Sequence, residues 1–168
     1  HTPADIRRGA WKSLLAGGMG LSVSNNNLYC PGGITTCDRY FPVTDLSTRL
    51  NAAPWLALLN PFIQNQLAPF FPRMKSAPEL VDSTGGKYAL ADGGRNRILY
   101  LLVGTEDTWD EGDGEGVTLK LNEVPATFSA TWFDPRSGDE TYAGAIGGGG
   151  EHRLIPPTRD DWLLLLER

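Results

Sequence analysis

Thr127-Phe128-Ser129-Ala130-Thr131-Trp132 is the stretch on which the fold turns, because apolar and hydroxyl-bearing residues alternate along it. A period of two puts Phe128, Ala130 and Trp132 on one face of an extended chain. Thr127, Ser129 and Thr131 fall on the other, the pattern of a half-buried strand. Val117, Leu119 and Leu121 alternate with polar neighbours in the same way. Further out, Asp161 to Glu167 reads as a final buried strand. Tyr88 to Ala91 and Ile98 to Val103 are short apolar runs separated by the hairpin signal Asp92-Gly93-Gly94. Asp134-Pro135-Arg136-Ser137-Gly138 reads as a turn in which the Asp side chain bonds the backbone, and Gly147 to Gly150 as a flexible tip. Strands of this length at spacings of about 10–15 residues predict an antiparallel β-sandwich. It is assigned to residues 81–168.

Upstream of Lys87 the period is different. Thr2-Pro3-Ala4-Asp5 is a helix start, with a capping hydroxyl, a proline suited to the first helical position and a negative charge in the first turn. Ile6, Ala10 and Leu14, flanked by Trp11 and Leu15, form an apolar stripe that Gly17-Gly18 ends. Met19 to Val23 then reads as a short strand. A loop with Cys30 and Cys37 follows, then short helical segments interrupted at Pro54, a helix restarting at Asn60-Pro61, and a linker over 72–86. A capped helix leading into a buried strand is an αβ unit, which belongs to layered or barrel folds whose functional groups sit at strand C-terminal ends. Arg7 and Arg8 read as surface ion-pair residues of the helix.

The chain has 168 residues, with 15 Lys and Arg against 20 Asp and Glu, a net charge of −5. That balance argues against nucleic acid or an anionic membrane as the main partner, since both require a clustered basic face. No run approaches the ~20 apolar residues of a membrane span. Five Trp, six Phe and five Tyr oppose disorder. Beginning at His1, without an initiator Met or a leader, the chain reads as a piece of a longer protein or a processed product.

Few residues offer chemistry. His1 and His152 are the only histidines, so a nucleophilic triad would need one of them, and an exposed or packed role is the simpler reading of His152. Cys30 and Cys37 can close the intervening loop as a disulfide, which would imply an oxidising compartment; two free thiols or a redox pair are the alternatives. Asp107, Asp110, Asp113 and Glu115, in an acidic glycine-containing run, are a weak calcium candidate beside the simpler reading of a solvated hairpin tip; no other cofactor is expected. Gly17 to Gly20 lies between helix and strand, the wrong order for a phosphate loop. Ser24, Asn25 and Asn26 follow the first strand, where they could meet sugar hydroxyls or form a plain turn.

Arg7-Arg8-Gly-Ala-Trp11-Lys-Ser-Leu-Leu-Ala-Gly17-Gly-Met-Gly20 resembles the last helix–strand step of the catalytic barrel in apiosidase-like glycoside hydrolases. Arg97-Ile98-Leu99-Tyr100, Ala130-Thr-Trp132-Phe-Asp134-Pro135-Arg136-Ser-Gly138 and Pro156-Pro157-Thr-Arg-Asp160-Asp161-Trp162-Leu-Leu-Leu-Leu166 resemble the β-sandwich that follows it, a module labelled collagen-binding. The resemblance implies an α+β chain. Residues 1–80 would be the helix–strand–helix end of a (β/α)8 catalytic barrel, and 81–168 the sandwich. Glycoside hydrolysis needs two carboxylates across the scissile bond. In the family these lie on earlier barrel strands, so no catalytic residue is expected in this chain. Ser24, Asn25 and Asn26 would then line the sugar site. Gly20-Leu21-Ser22-Val23-Ser24-Asn25 departs from the family's usual Gly-His-Thr-Tyr-Gly after that strand, which leaves the substrate class open.

The expected function is the C-terminal part of a secreted or periplasmic glycoside hydrolase acting on a polysaccharide or oligosaccharide. It would be completed by the missing barrel portion or a partner chain. The alternative is a non-catalytic carbohydrate- or collagen-binding module, for which Trp109, Tyr142 and Tyr100 would have to form an exposed aromatic row. Trp132 and Trp162 to Leu166 read as sandwich core, where burying each Trp contributes about 2–3 kcal/mol.

Overall fold

The run Trp162-Leu163-Leu164-Leu165-Leu166 has no polar alternation because both of its faces are covered. A computed structural model describes residues 3–18, 53–68, 70–82, 87–102 and 116–168. Nine strands are described: β1 (Met74–Ser76), β2 (Val81–Asp82), β3 (Tyr88–Asp92), β4 (Arg97–Leu102), β5 (Val117–Lys120), β6 (Thr127–Phe133), β7 (Glu140–Gly147), β8 (Glu151–Leu154) and β9 (Trp162–Glu167). They form a six-stranded antiparallel sheet in the order β1-β3-β4-β9-β6-β7 and a three-stranded one in the order β2-β5-β8. The two sheets make the expected β-sandwich.

The register sorts the side chains into layers. Ala89 pairs with Tyr100, Tyr100 with Leu164 and Leu164 with Trp132, and all four belong to the core between the sheets. One residue along, Leu90 pairs with Leu99 and Leu99 with Leu165, and these three point the opposite way. They meet a second core containing Trp11, Leu14 and Leu15 of helix α1 (Pro3–Leu15), with Phe62, Leu67 and Met74. Leu163 and Phe133 join it. Trp132, Trp162, Leu164 and Leu166 are sandwich core as expected, whereas Leu163 and Leu165 serve the helix side. An antiparallel sheet commonly keeps one face for water. Around β9 this one keeps neither, so that central strand carries the continuous apolar run of a doubly covered strand, while Thr127 and Ser129 of β6 and much of β7 stay exposed.

Helix α1 starts and stops where its residues direct. Asp5 lies in the first turn. At the other end Gly17 adopts φ +88°, its N–H donates to the Leu14 carbonyl at 3.0 Å, and the Gly18 N–H donates to the Ser13 carbonyl at 2.9 Å. This double closure satisfies two orphan carbonyls and requires the left-handed backbone that glycine supplies.

Several local readings are corrected. Pro54 lies within a short helix, Ala53–Leu56, rather than interrupting one, since the first turn has N–H groups to spare. The next helix spans Leu59–Phe62 with no side-chain cap, so Asn60 does not start it; a π-turn over Ile63–Leu67 follows. The stretch read as a linker holds β1 and β2 with 3-10 turns at Phe71–Arg73 and Pro78–Leu80, because Met74, Ala77, Leu80 and Val81 are apolar enough to be drawn into the cores. The six-stranded sheet thus begins at Met74, upstream of residue 81.

The glycine tract 147–150 is pinned. Gly148 and Gly149 donate their N–H groups to the carbonyls of Ala126 and Leu121, and the Leu121 N–H donates to the Gly150 carbonyl. A Cβ at Gly148 would lie 1.6 Å from the Val124 oxygen, so only glycine allows the chain to pass from β7 in one sheet to β8 in the other.

Candidate functional site

Two clusters of cationic side chains organise the described surface and joints. The first fixes α1 to the sandwich. Arg7 and Arg8, 5% and 7% exposed, both donate to the carboxylate of Asp161, itself 1% exposed, at 2.5 and 2.9 Å. Arg8 Nε reaches both carboxylate oxygens at 2.9 Å. The Arg7 guanidinium also stacks 4.5 Å from the Trp55 ring centroid. These arginines are therefore not surface ion-pair residues. The packing that buries Trp11 brings their side of the helix down on the residue preceding β9, and a buried guanidinium must find a carboxylate.

Next to this joint, Asp160 and Asp134 both hold Arg136, each at 2.7 Å, and Arg136 lies 5.9 Å from the Trp162 ring centroid. The Arg136 N–H also donates to Asp134, which makes 134–138 the turn its residues predict. The hydrogen bond from Arg136 to Asp134 raises the arginine's pKa above its ordinary value. The Thr158 hydroxyl, together with Arg136, holds Asp160 below the usual carboxylate range.

The second cluster surrounds the β3–β4 turn. Asp92 accepts the N–H groups of Asn96 and Arg97 at 2.7 and 2.8 Å, and those of Gly94 and the Asn96 side chain at 3.2 Å. Burial pushes its carboxyl up, but these donors together outweigh burial and hold it below the usual range. A Cβ at Gly94 would come 2.6 Å from the side-chain nitrogen of Asn96, so a larger residue there would have to displace the Asn96 amide from its bond to Asp92. The turn then drives Arg95 to φ +53°, the left-handed region that glycine or asparagine usually occupies, at a cost of about 1 kcal/mol. Arg95 projects beside a cavity of about 780 Å³ lined also by Arg73, Lys75, Ser76 and Glu79. A second cavity of about 440 Å³ is lined by Lys120, Asn122 and Glu123 and shares Arg95 and Glu79 with the first. Those two side chains pair at 3.0 Å and form the saddle between the cavities.

The sites expected from the residues fare differently. Ser24, Asn25 and Asn26, the Cys30 and Cys37 pair, and the calcium candidates Asp107, Asp110, Asp113 and Glu115 all lie outside the described residues, as does Trp109. Tyr142 is 66% exposed on β7, but Tyr100 is 1% exposed, buried between the sheets by its β4 register. Tyr100 therefore takes no part in a surface aromatic row. His152 lies on β8, half-buried, with its Nε2 lacking a hydrogen-bond partner among the described residues. No helix among the described residues is long and apolar enough to cross a membrane. The reading of the residues missed Asp161, whose signal is a carboxylate placed directly before a five-residue apolar run. It also missed the second cluster, whose signal is basic residues collected at one turn of an acidic chain.

Fold and joints define a two-sheet β-sandwich whose six-stranded sheet is covered over β3, β4 and β9 by helix α1. Residues 88–167 match the family described as "Putative collagen-binding domain of a collagenase". Two solved structures share the fold over 99% of this chain. One, described as a glycoside hydrolase, has 17% identity and a TM-score of 0.74; the other, a glycoside hydrolase family 5 protein from Bacteroides vulgatus, has 19% identity and a TM-score of 0.69. The chain spans 37% and 36% of their respective lengths. No curated protein matches it.

Proposed function

We propose that the chain is the C-terminal part of an apiosidase-like glycoside hydrolase acting on a complex polysaccharide or oligosaccharide. In this reading the part of the chain before Met74 ends a (β/α)8 barrel, and the sandwich, which takes in β1, braces it. The observation that carries the proposal is the joint of α1: Trp11, Leu14 and Leu15 are sealed against the six-stranded sheet, and Arg7 and Arg8 are locked to Asp161. A helix held this firmly fixes the direction in which the chain leaves it at Gly17-Gly18, as the last helix of a barrel must for the following strand to close the ring. The fold likeness over 99% of the chain supports the same order of parts.

The two carboxylates of glycoside hydrolysis would reside on polypeptide outside this chain, with Ser24, Asn25 and Asn26 contributing contacts to sugar hydroxyls. The protein would be secreted or periplasmic, the compartment in which Cys30 and Cys37 would form a disulfide. Calcium at Asp107, Asp110, Asp113 and Glu115 belongs to the same proposal. The test is direct: the purified 168-residue chain leaves chromogenic glycosides intact, and turnover by it overturns the reading.

A second reading, a binding module for polysaccharide or collagen, is favoured by the family match over 88–167. Retention on insoluble polysaccharide or on collagen supports it. Loss of the chain in the wash of both removes it.

A further inference from the structure

We propose that the groove at the β3–β4 turn binds an anionic saccharide, a glycan bearing carboxylate or sulfate groups. Arg95, Lys75 and Arg73 take the charged groups, and Ser76 and Glu79 meet the hydroxyls. The saccharide half rests on the carbohydrate-active reading above; the anionic half rests on geometry.

Three cations from two segments, Arg73 and Lys75 around the start of β1 and Arg95 in the β3–β4 turn, converge on one cavity lined also by the carboxylates of Glu79 and Asp92, a local excess of positive charge in a chain whose net charge is −5. Arg73 and Lys75 are exposed and have no ion-pair partner among the described residues. Asp92, a potential competitor, is occupied by the N–H groups of its own turn. The Glu79 side chain is 61% exposed, leaving carboxylate lone pairs for a ligand hydroxyl beside its bond from Arg95. A volume of about 780 Å³ is within the range of small-ligand sites, and the adjoining cavity of about 440 Å³ extends it in the manner a short oligomer would need.

Arg95 supplies an independent observation. It is the one non-glycine residue with positive φ among those described, although asparagine or glycine would fit the position without strain. Strained backbone persists where the surroundings enforce it and gathers at functional sites. Here the enforced conformation sets a planar guanidinium on the saddle between two cavities, suited to a forked grip on a carboxylate or sulfate.

The experiment uses the intact chain and backbone amide shifts as readout. The probes are tetragalacturonate, a sulfated tetrasaccharide, neutral cellotetraose and a polyglutamate peptide. Tetragalacturonate or the sulfated probe, whichever the groove takes, shifts the amides of Ser76 and Gly93 to Asn96. Arg95→Asn, which keeps the turn's backbone, and Lys75→Ala each weaken that binding about tenfold. Arg159→Ala, removing the same charge from an exposed site elsewhere, leaves it unchanged. Equal binding of cellotetraose in the groove overturns the anionic assignment and leaves the carbohydrate reading standing. Equal binding of polyglutamate overturns the saccharide assignment. Absence of any shift with both anionic probes, or shifts mapping elsewhere that Arg95→Asn does not alter, overturns the proposal, while retention on insoluble polysaccharide reports separately on the wider reading.

Discussion

Arg7 and Arg8 differ from Arg73, Lys75 and Arg95 in what their surroundings leave them to do. The first pair is buried and shares one buried carboxylate 153 or 154 residues away, and Arg7 also lies against a tryptophan ring. The second group stands in the open around a cavity, with a single exposed pairing from Arg95 to Glu79. Charge in the interior can only hold parts together, because losing its partner leaves it stranded. Charge at a groove costs little to keep and stays available for exchange with a ligand. The difference separates the part of the molecule that fixes shape from the part suited to recognition.

The largest effects are expected at the buried joint. Asp161→Ala takes the shared carboxylate away from two buried guanidiniums and lowers unfolding free energy by about 3–5 kcal/mol, read from the midpoint of urea unfolding. Trp11→Ala, which empties the apolar side of the same joint, costs about 3–5 kcal/mol by the same measurement. A sharper version replaces the charges together: Arg7→Met, Arg8→Leu and Asp161→Leu recover most of the Asp161→Ala loss, since an apolar joint of similar volume needs no ion pair. Failure of the triple variant to recover would show that the charges do more than compensate one another.

An intermediate effect is expected at Asp92. Its carboxyl titrates below the usual range in the folded chain, so between the folded and unfolded pKa values the unfolded state binds more protons. The stability it contributes is present above about pH 4 and is lost as pH falls through the folded value. Asp160, lowered for a different reason, adds to the same acid limb. Asp92→Asn is expected to cost about 1–2 kcal/mol at pH 7 and to flatten unfolding below pH 4, followed by circular dichroism.

The smallest effect is expected at the saddle. Glu79→Gln breaks an exposed pair and changes stability by less than about 1 kcal/mol, measured by thermal unfolding. A larger loss would make Arg95 and Glu79 a structural joint like the first and erase the contrast between the clusters.

How far the residues themselves disclosed this arrangement follows from the range over which each signal acts. The alternation in 127–132 and 117–121, the Asp92-Gly93-Gly94 hairpin and the glycine end of α1 are set by neighbours within a few residues, and all are found. The second face of β9 is different. Leu163 and Leu165 are no less apolar than Leu164 and Leu166, so nothing local says which of them meets a helix. The partner of Arg7 and Arg8 lies beyond any periodicity, and only packing reveals it. Residues 72–86 looked like a linker because β1 and β2 have three and two residues, too few for alternation to register. The groove was hidden with them, as Arg73 and Lys75 come from that stretch and meet Arg95 only once β1 pairs with β3.

Amide hydrogen exchange on the intact chain tests the sealing of the helix most directly. If α1 and the six-stranded sheet are one cooperative body, amides in the second and third turns of α1 open with the same free energy as those of β9, near the value for global unfolding. Exchange in α1 that is hundreds of times faster than in β9 would show a helix that detaches by itself, and would contradict the account.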